Sequence, residues 1–466
     1  MPDATSSSQA CGCAGFSRSE LLRGAGAATA GRGLRAIEVG MPLPAGTGLS
    51  RRSFLARSSG LALAVFGGAA LAPRALDAGI AAAEAAGENR ILVSIFCSGG
   101  MDSLSLLAPV GDPRYAALRG TLALPDDPAY AFGEDSRLRW HAAAAPLRDL
   151  HAAGKLSVIP AIGYDDPNQS HFTSRHYWEV GDIDAAGRVG WLGRYLDQYG
   201  VADNPLQGLS LDYTLAPALA TSGVPVAAVS APESYDLWTR DVWDDALFDA
   251  AVSRWGGQGS LATADPELAT ARRAAGMSTA LRTQLAGLQG HTGAWQGAIP
   301  YPVSENAFPE RLASLAEMIA RGLPLRVVAL DANGGYDTHE NQEATLQANL
   351  GLLSSSLAAF QVDLEARGIA DRVLVHVWSE FGRRPQANGS GTDHGAGGAS
   401  LVMGARAAGT MVGEFPGLAT LDAQSNLRHT VDFRAVYKGL TEQWLEVSAD
   451  GIVPGAGSFT APLVVR

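Results

Sequence analysis

The sequence is nearly free of cysteine and has no cluster of basic residues. Its three cysteines are Cys11, Cys13 and Cys97. Because only Cys97 lies outside the N-terminal segment, the body of the chain cannot form an internal disulfide. The net charge is −12, and no stripe of Lys and Arg is present to bind a phosphate backbone. We therefore exclude a fold held together by disulfide bonds and a nucleic-acid partner.

Nucleotide-binding motifs are also missing, since neither a Walker A pattern nor a dinucleotide-binding glycine pattern follows any expected strand. The apolar run at 60–73, GLALAVFGGAALAP, is shorter than the ~20 residues that span a bilayer. Apolar residues make up 47% of the chain and charged residues 18%. This composition provides a sizeable core and argues against global disorder.

The N-terminus resembles a leader more than a folded segment. Residues 50–56 read SRRSFLA, the apolar run follows, and a zone of small residues leads to an expected cleavage point near Ala85. This order predicts a twin-arginine export signal at 50–87, preceded at 1–49 by a disordered extension or by untranslated sequence before a start at Met41. The alternative is an uncleaved anchor helix, which would be the only membrane contact.

Export of this kind would place the protein in the periplasm, the cell envelope or the medium. The twin-arginine route carries proteins that have already folded. It therefore suits a chain that acquires a metal or another cofactor before it leaves the cytoplasm.

The body of the chain alternates apolar strands with helices. Buried strands are expected in 90–109, 155–163, 323–331, 372–382 and 398–404, with a long helix at about 340–368. This alternation predicts a doubly wound, mostly parallel α/β sheet flanked by helices over 88–466. The segment 232–320 has helix formers instead, and we expect a helical insertion or cap there.

Acidic residues and histidines follow successive strands. They are Asp102 after the first strand, Ser170 and His171 after the second, Asp337 and His339 after the third, and Glu380, Arg383, Asp393 and His394 after the fourth. Ligands of open α/β sheets bind beyond the carboxyl ends of strands. The other histidines, at 141, 151, 176, 291, 376 and 429, are interpreted as structural or surface residues.

These residue types suit a divalent cation. Asp337 and His339, two apart in a loop, project to one side, whereas the consecutive Asp393 and His394 point apart and could serve two ions. We predict one or two metals, with Zn²⁺ or Mn²⁺ favoured over Ca²⁺ or Mg²⁺. Three further residues receive other candidate roles: Ser170 as nucleophile or anion contact, Glu380 as ligand or general base, and Arg383 as anion clamp.

Each assignment has a structural alternative. Asp102 could cap the next helix, and Ser170 could be an N-cap with His171 packed beneath it. The Asp-His pairs could belong to hydrogen-bonded turns. Glu380 could pair with Arg383 or Arg384 at helical spacing.

Several motifs resemble the bacterial family called "domain of unknown function 1501". They are GGMDSL, SHFTSRHYWEVGD, GGYDTHENQ, SEFGR…NGSGTDHG and DFRAVYKG, and the resemblance covers about 90–448. Members carry twin-arginine leaders and are grouped with the alkaline phosphatase and sulfatase superfamily. The resemblance implies that superfamily's doubly wound sheet, with a metal site at the carboxyl edge.

It further implies Asp102, Asp337, His339, Asp393 and His394 as metal ligands and Ser170 as nucleophile. The chain departs from alkaline phosphatases in two respects. Its first Asp-His pair is spaced by two residues instead of four, and SEFGR takes the place of the Asp-His dipeptide. The resemblance therefore implies Glu380 as a substitute for one ligand. A formylglycine sulfatase is disfavoured because the Cys-x-Pro-x-Arg signature is missing.

These features favour an exported, metal-dependent hydrolase of phosphate or sulfate esters, acting on a small or polymeric anionic substrate. The alternative is a non-catalytic envelope protein with the same fold that binds a polymer or a protein. The resemblance suggests a partner from another exported family that accompanies this one.

Overall fold

The computed structural model describes residues 90–237, 244–289, 299–332 and 334–466. The N-terminal extension, the twin-arginine segment, Cys11, Cys13, Ala85 and His291 lie outside the described residues. No helix within the described ranges combines the length and the apolar character that a membrane span requires.

The sheets of the described chain are built from strands of two to eight residues. In chain order they are β1 (Ile91–Phe96), β2 (Leu107–Ala108), β3 (Arg139–Trp140), β4 (Leu156–Gly163), β5 (Gly208–Ser210), β6 (Ala227–Ala228), β7 (Val327–Asp331), β8 (Val373–Trp378), β9 (Arg383–Ala387), β10 (Thr392–His394), β11 (Gly398–Met403) and β12 (Val431–Asp432).

Helices separate most of these strands. They are α1 (Ser103–Leu106), α2 (Tyr115–Arg119), α3 (Ala145–Ala152), α4 (His171–Val180), α5 (Trp191–Tyr199), α6 (Asp245–Gly257), α7 (Pro266–Leu285), α8 (Phe308–Ala320), α9 (Gln342–Ala366) and α10 (Phe433–Gly439), the last continued by a π-helical turn at Leu440–Trp444.

Eight strands form one sheet in the order β12-β4-β11-β8-β1-β7-β5-β6. β1 is parallel to β7 and β8, β5 is parallel to β6 and β7, and β12 is parallel to β4. β11 is antiparallel to both of its neighbours, β4 and β8. The expected mostly parallel sheet is therefore confirmed, with one antiparallel strand that the sequence pattern did not indicate.

Both faces of the sheet are covered by helices. Along β1, Ile91, Val93 and Ile95 belong to a core shared with α3, α8 and α9, whereas Leu92 belongs to a second core shared with α5 and α10. Successive side chains of a strand point to opposite faces. Since neighbouring residues of β1 enter different cores, the continuous apolar run reflects burial on both sides.

All five apolar runs expected to be strands contribute to this sheet, and the long helix is α9. The described part of 232–320 contains the helices α6, α7 and α8. Met277, Leu281 and Leu285 of α7 are buried in the first core. Whether this segment caps a site remains a prediction.

The hairpin of β9 and β10 carries Asp393 and His394 back over the edge of the sheet. Its turn contacts the loop that follows β7: Gln342 donates its backbone N–H to Ser390 O at 2.9 Å, and Thr392 donates to Thr338 O at 3.1 Å. A Cβ added at Gly391 would lie 2.2 Å from the carbonyl carbon and oxygen of His339. The glycine thus allows the two loops to make close contact.

Replacing Gly391 by alanine should therefore separate these loops. We expect Gly391→Ala to lower the free energy of unfolding by about 1–3 kcal/mol, the usual range for overpacking. Gly335→Ala is the matched control, because Gly335 is exposed in the adjoining loop and a Cβ there meets nothing within 4 Å. Equal denaturant midpoints for the two variants would contradict the close-packing explanation.

Candidate metal centre

Three residues from distant parts of the chain place ligand atoms together at the carboxyl edge of the sheet. His171, Asp337 and His394 each offer one ligand atom, and these atoms all lie within 4.8 Å of one another. Nε2 of His171 is 3.4 Å from Asp337 Oδ2, and Nε2 of His394 is 3.2 Å from Asp337 Oδ1. His171 begins α4, Asp337 follows β7, and His394 ends β10.

His339 adjoins the same group. Its Nε2 lies 3.1 Å from Asp337 Oδ1 and 3.0 Å from Nε2 of His394. The ring of Phe381 packs against the rings of His171 and His394, with centroid distances of 4.9 and 4.6 Å. Three imidazoles thus present their Nε2 atoms around one carboxylate, beside an aromatic side chain.

Burial and charge act in opposite directions on these groups. Burial lowers the pKa of His171, but hydrogen bonds to Asp337 and Glu380 outweigh it and raise that pKa to about 9. Burial raises the pKa of Asp337, but hydrogen bonds from His171, His339 and His394 hold it far below its usual value. Burial lowers the pKa of His394. The ionised Asp337 thus favours positive charge beside it, which is a proton on His171 and could equally be a metal ion.

The donor set fits a divalent metal. Imidazole nitrogen and carboxylate oxygen are ligands of Zn²⁺ and related ions, and this group supplies three of the first kind and one of the second. His171, Asp337, His339 and His394 are therefore the residues that would hold a metal. We call these four residues the His/Asp group.

Glu380 lies behind the His/Asp group. It is fully buried, and its Oε1 is 2.7 Å from Nδ1 of His171. Its carboxylate accepts hydrogen bonds from the backbone N–H of Gly99 and Gly100 and from Ser379 Oγ. Burial raises the pKa of Glu380, but the hydrogen bond and charge of His171 outweigh burial, so this pKa lies below its usual value.

Arg383 is also fully buried. It donates to the carbonyls of Gly99 at 2.6 Å and Gly100 at 3.1 Å, to those of Tyr336 and Thr392, and to Asp337 Oδ1 at 2.5 Å. The guanidinium therefore orients Asp337 and joins three loops. As placed, its donors are directed at the protein, and not at the position of a substrate anion.

Asp102 lies outside the His/Asp group. It caps α1 through the backbone N–H of Leu104, and both of its oxygens accept from Arg119, one bond being 2.8 Å long. Burial raises its pKa, but the charge and hydrogen bonds of Arg119 lower it overall. The structure thus shows the capping alternative together with a buried ion pair, because Arg119 occupies the oxygens that a metal would need.

Gln342 connects this ion pair to the two ligand loops. Its Nε2 donates to Asp102 Oδ2 at 2.6 Å, and its Oε1 accepts from Thr338 Oγ1 at 3.0 Å and Thr392 Oγ1 at 2.6 Å. Thr338 lies between Asp337 and His339, and Thr392 precedes Asp393. No sequence motif singled out Arg119 or Gln342. The only available signal was the polar run DTHENQ at the start of α9.

Asp393 and Ser170 lie at the border of the His/Asp group. Asp393 is half-exposed, and its Oδ1 is 3.4 Å from Nδ1 of His339. Ser170 has the extended backbone of an N-cap of α4 but makes no capping bond through its side chain. The carbonyl of Gln169 lies 2.8 Å from Nδ1 of His394. Ser170 therefore lies between Gln169, which contacts the His/Asp group, and His171, which belongs to it.

The fold and the site define an α/β protein with a His/Asp group at the carboxyl edge of a doubly wound sheet. The family model "Protein of unknown function (DUF1501)" matches residues 184–437. The chain belongs to this family. No curated protein matches it significantly in sequence.

Solved structures resemble this chain only distantly. The C-terminal periplasmic domain of EcEptC from Escherichia coli is 10% identical, with a TM-score of 0.34 and coverage of 80% of this chain and 88% of that one. The PsFucS1 sulfatase from Pseudoalteromonas sp. is 10% identical, with a TM-score of 0.31 and coverage of 80% and 72%. The TAB5 alkaline phosphatase is 9% identical, with a TM-score of 0.27 and coverage of 70% and 94%.

The buried Asp102–Arg119 pair should matter for stability. Arg119→Met should lower the free energy of unfolding at neutral pH by about 3–5 kcal/mol, because it leaves a buried carboxylate without its cation. Arg114→Met, which changes an exposed arginine five residues earlier, should stay within about 0.5 kcal/mol. Urea unfolding of both variants measures the difference.

The same pair sets a pH dependence. The folded-state pKa of Asp102 is lowered, so the pair contributes stability above the unfolded value near 4, and this contribution is lost as the pH falls. The deficit of Arg119→Met should therefore shrink on acidification toward pH ~4 and below. A deficit that stays constant from neutral to acid pH would contradict a role for the charge of Asp102.

Proposed function

We propose that this protein is an exported, metal-dependent hydrolase of phosphate or sulfate esters. The observation that carries the proposal is the His/Asp group, in which His171, Asp337, His339 and His394 meet at the sheet edge. Ser170 directly precedes His171 and is the N-cap residue of α4. A cation site near a helix-terminal hydroxyl supports ester hydrolysis at phosphorus or sulfur, because the metal can activate the hydroxyl and stabilise the charge that develops.

The metal would be Zn²⁺ or Mn²⁺ in preference to Ca²⁺ or Mg²⁺, because three of the four donors are imidazole nitrogens. When bound, it would supply a Lewis acid that stabilises developing negative charge and favours the ionised nucleophile. Asp393 lies on the far side of His339. A second ion bound there would give two metals per chain, the larger of the two numbers expected from the sequence. Metal analysis distinguishes one ion from two.

Ser170 would be the nucleophile. Its hydroxyl attacks the phosphorus or sulfur atom, its proton passes to water, the ester alcohol departs, and a water molecule then releases the transferred group from the serine. The N-terminus of α4 assists, because the helix dipole favours an anion there. The aromatic ring of Phe381 beside His171 and His394 limits water at the group.

The leader predicted at 50–87 directs the chain to the periplasm, the cell envelope or the medium, with membrane contact only if the leader stays uncleaved. We assign substrate selection to the segment 232–320, acting as a cap over the site. The substrate is a small or polymeric anionic ester. The competing proposal is a non-catalytic envelope protein that binds a polymer or a partner protein of another exported family.

Removing the carboxylate of the His/Asp group tests the metal. Asp337→Asn should reduce bound zinc or manganese in the purified protein by at least about tenfold, because the central anion of the site is lost. Inductively coupled plasma mass spectrometry measures the content. Asp149→Asn is the control, since Asp149 is an exposed carboxylate of α3 that pairs with Arg148. A wild-type protein that binds no divalent metal when loaded would exclude the hydrolase and favour the binding protein.

The nucleophile has a separate test. With p-nitrophenyl phosphate, bis(p-nitrophenyl) phosphate and p-nitrophenyl sulfate as substrates, Ser170→Ala should lower kcat by more than about 100-fold while the metal content is unchanged. Ser222→Ala, which removes an exposed hydroxyl bound to Asp197, should leave kcat within about twofold. If Ser170→Ala hydrolyses these esters at the wild-type rate, the nucleophile is a different group.

A further inference from the structure

We infer that Glu380 is a positioning residue that fixes His171 in the tautomer whose Nε2 binds the metal. This inference rests on the proposed metal site, and it replaces the roles of ligand and general base considered for Glu380 from the sequence. The structure supports it through the contacts of Glu380, through the orientation of His171, and through the same orientation in the other two histidines.

Glu380 can act only through His171. Its side chain is fully buried behind the imidazole, and the N–H groups of Gly99 and Gly100 bond to its oxygens at 2.9–3.2 Å. An ionised carboxylate in such a cradle is only an acceptor. The 2.7 Å contact with His171 therefore requires the proton on Nδ1. A carboxylate held this way does not reach substrate or solvent.

The proton on Nδ1 decides what Nε2 can do. In an imidazole with one proton, the nitrogen opposite the protonated one carries the lone pair. Nε2 of His171 faces Asp337 Oδ2 at 3.4 Å, so the lone pair is directed into the His/Asp group. A carboxylate on the other nitrogen also increases the basicity of the ligand and fixes the plane of the ring.

The other histidines of the group repeat the arrangement. Nδ1 of His394 lies 2.8 Å from the carbonyl oxygen of Gln169, and Nδ1 of His339 lies 3.4 Å from Asp393 Oδ1. In all three rings Nδ1 faces an oxygen acceptor, and Nε2 faces Asp337. The three rings therefore share one orientation. The oxygen acceptors at their Nδ1 atoms correspond to the outer shell that metal-binding histidines have in proteins.

Glu380→Gln tests the role directly. The carboxamide cannot accept from Gly99, Gly100 and His171 together, because one of its ends is a donor. If the amide NH₂ faces Nδ1, the proton of His171 moves to Nε2 and blocks the metal. Zinc affinity, measured by chelator competition on the purified protein, should fall by about 10–100-fold. Affinity within about twofold of wild type would overturn the inference.

The control is Glu179→Gln. Glu179 is also a buried carboxylate, but it pairs with Arg175 at 2.6 Å two turns further along α4. This variant should keep its zinc affinity and the visible absorption spectrum of the Co²⁺-loaded protein. Glu380→Gln should change that spectrum, because the geometry of one nitrogen ligand changes. A spectrum identical to wild type would contradict the role of Glu380.

A double variant separates positioning from general stability. If Glu380 acts through His171, then His171→Ala combined with Glu380→Gln should bind zinc as weakly as His171→Ala alone. A further tenfold loss in the double variant would contradict action through His171. If Glu380→Gln does not fold, Glu380→Asp is measured in its place, since it keeps the charge but withdraws it from Nδ1, and it should also weaken zinc binding.

Failure of this inference can be distinguished from failure of the proposed function. If the wild-type protein binds no zinc or cobalt, the metal site itself is absent, and both the proposed function and the positioning role are excluded. If wild type binds the metal and Glu380→Gln binds it equally well, only the positioning role is excluded.

Discussion

The site depends on two buried charges that are held by one glycine pair. The N–H groups of Gly99 and Gly100 bind the carboxylate of Glu380, and the carbonyls of the same two residues bind the guanidinium of Arg383. Neither charge is exposed to water, so each requires hydrogen bonds of this kind to be tolerated. Glu380 then contacts His171, and Arg383 contacts Asp337.

The glycine pair is a geometric requirement of this arrangement. Gly99 and Gly100 have φ values of +117° and +84°, which side chains with a Cβ rarely adopt. A Cβ at Gly99 would lie 2.2 Å from the backbone nitrogen of Asp337. The end of β1 therefore lies directly against the loop after β7, and the ends of three neighbouring parallel strands are joined at one point.

Much of the fold could be predicted from local sequence patterns, whereas the contacts of individual site residues could not. Continuous apolar runs predicted the strands because burial on both faces removes polar residues, and the position after strands identified His171, Asp337, His339 and His394. The sequence could not assign the partner of Asp102, because Arg119 and Gln342 are brought to it only by tertiary packing. It predicted no strand between 382 and 398, so the β9–β10 hairpin that carries His394 was not expected.

The His/Asp group draws its members from segments near residues 171, 337 and 394, so it exists only after strands distant in sequence have paired. Contacts of this range form slowly, since the entropy of closing long loops is lost before packing compensates for it. A metal would stabilise the assembled state and not the unfolded chain. The ion retained would then be set by the metals available in the compartment where folding is completed, so a chain that folds before export would acquire its metal in the cytoplasm.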